Sequence, residues 1–101
     1  MELLLTADMV KAPEALALGL VNHVVPAEEL LAKATGILKK IATKGPLAVA
    51  RSIQCVNANF DETKNGYDEE VKAFGEISNT QDFIEGATAF LEKRAPNFTG
   101  K

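Results

Sequence analysis

The feature that most constrains this chain is apolar residues recurring every three to four positions in blocks separated by glycine and proline. Leu30, Ala34, Ile37 and Ile41 make one such stripe. Val49, Ile53, Val56 and Phe60 make a second; Tyr67, Val71, Phe74 and Ile77 a third; Phe83, Ala87, Phe90 and Leu91 a fourth. This spacing is that of the helix, not the strand, so each block is read as an amphipathic helix burying one face. The breaks agree. Pro13 and Glu14 open a short helix that Gly19 ends, and Pro26 starts the next, which runs to about Ala42. Gly45-Pro46 starts a third, a fourth begins at about Glu62, and Asn79 or Thr80 caps a fifth that Ala95-Pro96 ends. Met1–Leu5 has no capping residue ahead of it and reads as the last turns of a helix. Leu20–Val25, rich in valine, is the one short extended piece. The expectation is an all-α chain of about five helices forming a single segment, residues 1–101.

Composition narrows the function classes. With 47% hydrophobic and 25% charged residues, the 101-residue chain is globular rather than disordered. Its net charge of -3 is spread along the sequence, without the basic stripe of a nucleic-acid surface. Apolar runs such as Leu3-Leu4-Leu5 reach no more than four residues, far too short to span a bilayer, and the start lacks the flanks of a signal peptide. Cys55 is the single cysteine, so neither an internal disulfide nor a cysteine-built metal site is available. A cytoplasmic protein, with neither nucleic acid nor membrane as partner, is expected.

Few residues offer chemistry. His23 is the only histidine, without a second ligand at metal spacing and without a nucleophile elbow elsewhere, so a structural or surface role is expected. Cys55 has Arg51 one turn before it, which could favour a thiolate, but a buried inert thiol is the commoner state. Of the acidic cluster Asp61, Glu62, Asp68, Glu69 and Glu70, the last three lie mostly opposite the Tyr67–Val71–Phe74 stripe, so the cluster reads as a solvated face, not as paired acid and base. Neither a catalytic residue nor a metal ligand is assigned. Phe90, Lys93 and Arg94 have two readings. They are a core phenylalanine followed by cations favoured at a helix end, or a ring that stacks on a nucleobase beside a lysine that holds a phosphate.

Ordered motifs at both ends of the chain resemble a family. Glu2-Leu3-Leu4-Leu5-Thr6-Ala7-Asp8, Ala15, Gly19-Leu20-Val21 and Val24-Val25-Pro26 are similar to the crotonase superfamily just after its catalytic core. Asp82, Glu85-Gly86, Ala89-Phe90-Leu91-Glu92-Lys93-Arg94 and Pro96-Asn97-Phe98 resemble its carboxy-terminal signature. The resemblance implies a helical oligomerisation region of an enoyl-CoA hydratase, of the short-chain (3-hydroxybutyryl-CoA dehydratase) kind; isomerases and decarboxylases share the scaffold. It implies an acyl-CoA substrate, no separate cofactor, and assembly into trimers or hexamers. It places the spiral core, the oxyanion hole and both catalytic glutamates upstream of Met1, so Glu2, Glu85 and Glu92 inherit no catalytic role and the segment alone is expected to be inactive. Phe90 and Lys93 match the positions that contact the adenine and 3′-phosphate of a neighbouring subunit's CoA, while Arg94 matches the signature without an assigned role.

Overall fold

The computed structural model describes residues 1–101, which divide into two compact units, Met1–Thr35 and Gly36–Lys101. Six α-helices account for the regular structure: α1 (Glu2–Thr6), α2 (Ala12–Ala17), α3 (Leu30–Ala42), α4 (Pro46–Ala58), α5 (Gly66–Ser78) and α6 (Gln81–Glu92). A single 3-10 turn, Ala27–Glu29, leads into α3. These are the five expected helices plus the opening turn, and the all-α class is correct.

In the first unit, α1 has no side-chain cap. Helix α2 carries Pro13 in its first turn and ends as expected at Gly19, with φ of 72°. There the Leu20 N–H donates to the Ala15 carbonyl oxygen and the Gly19 N–H to that of Leu16. This pair of bonds satisfies the helix's last acceptors through a left-handed residue, and glycine enters that conformation without a Cβ clash. Leu20–Val25, however, makes no strand. Its backbone bends at Leu20 and Asn22, and the chain offers no second strand to complete a ladder.

The second unit is built on α4, α5 and α6, with α4 packed on α5 and α5 on α6. Helix α5 starts at Gly66 rather than near Glu62, because Asn65 is the cap: its Oδ1 accepts the Tyr67 N–H at 3.1 Å. Residues before it form a turn in which Asp61 Oδ1 accepts from the Thr63 N–H and hydroxyl, at 3.0 and 2.6 Å. Thr80, not Asn79, caps α6, accepting the Phe83 N–H at 3.1 Å. Phe60 falls outside α4, in an exposed turn, so the expected stripe of that helix stops short of it.

Helices α4 and α5 run antiparallel, since Arg51 pairs with Glu76 (2.7 Å), Cys55 Sγ donates to the Glu69 carbonyl (3.9 Å) and Gly66 lies against Asn59. Ala58, Ala73 and Ala89 are the only buried apolar side chains in the chain. Tyr67, Val71 and Phe74 therefore do not form the inner face of α5 expected from their spacing; they are exposed, while Glu69 lies half-buried toward α4. Periodicity shows that residues share a face, not which neighbour that face meets. No Leu, Ile, Val or Phe is buried, so the 1.5–3 kcal/mol (roughly) that burial of each would contribute is largely unused within the chain.

Candidate functional site

The carboxy-terminal end of α6 concentrates the chain's polar geometry. The helix ends at Lys93 with φ 54° and ψ 39°, the left-handed conformation, in the same pattern as α2. The Arg94 N–H donates to the Ala89 carbonyl at 3.0 Å, and the Lys93 N–H to that of Phe90 at 3.3 Å. At this end, though, the left-handed residue is a lysine, which costs about 1–2 kcal/mol that glycine avoids. The conformation persists because residues on both sides are held.

Arg94 does most of the holding. Its Nη1 and Nη2 donate to Glu85 Oε1 and Oε2 at 2.6 and 2.8 Å, a two-pronged pair reaching back nine residues. Its Nε donates to Glu92 Oε2 at 2.6 Å, and Nη1 also to the Ala95 carbonyl at 3.2 Å. Glu85 Oε1 in turn accepts the Asn97 N–H at 2.7 Å. The Arg94 guanidinium, then the Asn97 amide, hold the Glu85 carboxyl down at about 2 from an ordinary 4.5. Arg94 is shifted upward by the same two carboxylates, Glu85 first.

One turn toward the start of α6, Asp82 anchors the rest of the tail. It is buried, and accepts the Thr99 N–H at 2.7 Å and the Gly100 N–H at 2.9 Å. Between these anchors the Phe98 ring lies against Gly45 and Gly86, closing one side of an apolar cavity of about 320 Å³. A side chain larger than hydrogen at Gly86 would meet that ring at 3.4 Å.

Phe90 stands in the last turn of α6 and Lys93 caps its end, three residues on. Phe90 is 83% exposed, which removes the core reading of this ring within the chain. Lys93 is exposed and forms no ion pair, whereas three guanidinium nitrogens of Arg94 are occupied. Glu85 and Glu92, both committed to Arg94, are not arranged as an acid and a base. In the sequence Asp82, Glu85 and Arg94 are members of one carboxy-terminal motif, and their connection emerges only in the fold. The available signal was two acids three apart on α6, each followed by tail amides or an arginine after the helix break.

The other candidates stay apart. His23 is exposed. Cys55 is half-buried and Arg51 turns away from it, to Glu76 and to Gln54 Oε1 at 2.7 Å. Asp61 is occupied by Thr63, with Lys64 at 3.7 Å, and these hold its carboxyl below the usual range, the Thr63 hydroxyl foremost. No three His, Cys, Asp or Glu side chains cluster as metal ligands would, and no helix is long and apolar enough to cross a membrane.

Comparison with known proteins gives these observations a context. The family model for enoyl-CoA hydratase/isomerase matches residues 1–101. The chain is 46% identical over 101 residues to a crotonyl-CoA hydratase of Syntrophomonas wolfei, covering 99% of this chain and 39% of that one. It is 42% identical over 96 residues to a short-chain-enoyl-CoA hydratase of Clostridium acetobutylicum, covering 92% and 36%. The crystal structure of an enoyl-CoA hydratase from Mycobacterium tuberculosis superposes with a TM-score of 0.92 at 34% identity, over 100% of this chain and 40% of that one. The chain thus spans about two fifths of the length of the relatives it matches.

Proposed function

The chain belongs to the enoyl-CoA hydratase/isomerase family, and on that premise we propose that it is the carboxy-terminal helical region of a cytoplasmic enoyl-CoA hydratase. In this reading it supplies subunit contacts and one wall of a CoA site, and the residues that add water across the α,β double bond lie outside these 101 residues. The observation that carries the CoA assignment is the state of two side chains at the end of α6. Phe90 presents a bare ring and Lys93 an uncommitted ammonium, while the neighbouring Glu85, Glu92 and Arg94 are paired with one another. An aromatic face stacks on adenine for roughly 1–3 kcal/mol, and an ammonium holds a phosphate as a point charge. The acyl-CoA substrate needs no further cofactor in this scheme.

Two measurements test it. The chain given crotonyl-CoA should produce no hydration, and turnover would show that the chemistry is carried within these residues. Titration with CoA should show binding that Lys93→Ala and Phe90→Ala each weaken, and binding indifferent to both changes would remove the site.

Exposed apolar residues support a second role in the same protein, self-association. Tyr67, Val71 and Phe74 are exposed along one helix, α5, and an apolar stripe of this kind is ordinarily covered by a partner. Copies of this chain in a closed assembly, a trimer or a hexamer, are the proposed cover.

A further inference from the structure

Lys93 stands where the fold would be served more simply by glycine. At the end of α2 the same pair of backbone bonds closes around Gly19, and no side chain is required there. At the end of α6 the left-handed residue is a lysine, and the structure surrounds it with a brace. Glu92, immediately before it, and Arg94, immediately after it, are joined through Nε at 2.6 Å. Arg94 is joined again to Glu85, two-pronged, and Glu85 to the Asn97 N–H. The residue flanked by these contacts is the only one of the group without a partner of its own. A brace of this geometry holds a backbone conformation that the lysine would otherwise leave. It also occupies the one cation, Arg94, that could compete for the same anion.

We infer that Glu85, acting through Arg94, is a positioning residue that holds the Lys93 turn so that its ammonium meets the 3′-phosphate of CoA. This rests on the CoA reading given above and adds to it a residue that touches no ligand. A long flexible side chain loses freedom on binding, and a fixed backbone beneath it lowers that loss. Glu85 then bears on recognition of the phosphate, not on the general affinity for the nucleotide.

The experiment compares CoA with 3′-dephospho-CoA by calorimetric titration of the whole chain and its variants. Wild type should prefer CoA by about tenfold, the size of one charge-assisted contact. Lys93→Ala should abolish that preference. Glu85→Gln keeps the size of the side chain and removes its charge; it should cut the preference by about threefold or more while leaving the affinity for dephospho-CoA unchanged. In the Lys93→Ala background, Glu85→Gln should then have no further effect on the ratio, a result that general loosening of the fold would not give. Arg94→Lys, which keeps the charge but cannot form the fork, should lower the preference as Glu85→Gln does, and covers the case in which Glu85→Gln fails to fold. Should the preference be absent in wild type or survive Lys93→Ala, the CoA reading falls and this inference with it. Should Lys93→Ala abolish it while Glu85→Gln or Arg94→Lys leaves it at the wild-type value, the inference alone is overturned.

Discussion

Asp82 and Thr99 lie seventeen residues apart in sequence, and the carboxylate of one accepts the backbone N–H of the other at 2.7 Å. The second oxygen of Asp82 takes the Gly100 N–H at 2.9 Å, and its own N–H donates to the Lys101 carbonyl at 3.0 Å. One buried side chain in the first turn of α6 therefore ties down the end of the chain, and Phe98 is carried with it onto Gly45 and Gly86.

Removing that carboxylate should release the tail. Asp82→Ala leaves two amides without an acceptor and is expected to lower stability by about 1–3 kcal/mol, read from the urea midpoint. Hydrogen exchange of the Thr99 and Gly100 amides should accelerate in the same variant. Asp82→Asn keeps one carbonyl acceptor and should lose less. Unchanged exchange at both amides would show that the tail is held by Phe98 alone.

The Glu85 pair makes a prediction in pH. Its carboxyl is held at about 2, from 4.5, by Arg94 first and the Asn97 amide next. A carboxyl depressed on folding contributes stability that is fully present above about 4.5 and is lost as the pH falls toward 2. The thermal midpoint of wild type should drop through this window, and that of Glu85→Gln should drop less. Asp61, also depressed, contributes in the same direction in both proteins, so the difference between them isolates Glu85. A carbon-detected titration of the Glu85 carboxyl with a midpoint near 4.5 would contradict the pairing.

Much of this architecture is legible from residues alone, and the limits have physical causes. Pro13, Gly19, Pro46 and Thr80 mark helix ends because each acts locally, through a fixed φ, a missing Cβ or a short side chain reaching the next turn. Asn65 acts by the same means and went unread, since the acids around Glu62 imitate the start of a helix. The facing of α5 is different in kind. Its aromatic stripe is correctly periodic, yet the contacts with α4 and its cap are made by Gly66, Glu69 and Glu76, and only the position of a neighbour decides that. At the site, Phe90 and Lys93 were singled out by residue type and resemblance. The link from Glu85 to Arg94 needs the chain to reverse at Lys93, and a left-handed lysine leaves no mark in a sequence.

The outward stripe of α5 carries the expectation of self-association. Tyr67 is 83% and Phe74 65% exposed, and the Phe74 ring meets Phe83 of α6 edge-on at 6.3 Å, extending one apolar surface over two helices. Sedimentation equilibrium should give a mass above 10.8 kDa that rises with concentration. Val71→Glu places a charge in the middle of the stripe and should weaken association by about tenfold or more, since a buried unpaired charge is costly. A compact monomer at high concentration would count against the role.

Lys93→Gly separates stability from recognition at a single position. Glycine enters the left-handed conformation freely, so the strain of a lysine there is relieved; the greater freedom of glycine in the unfolded chain offsets part of the gain. The net expected change is a stabilisation of about 1 kcal/mol or somewhat less, a rise of a few degrees in the thermal midpoint. The same variant keeps the backbone turn and the Arg94 pairing but has no ammonium to offer, so its preference for CoA over dephospho-CoA should vanish. A variant that is both more stable and indifferent to the 3′-phosphate would show that lysine is kept at this turn for what its side chain binds. If Lys93→Gly instead destabilises the chain, the lysine contributes to the fold through contacts of its stem, and the conformational argument for its recognition role fails.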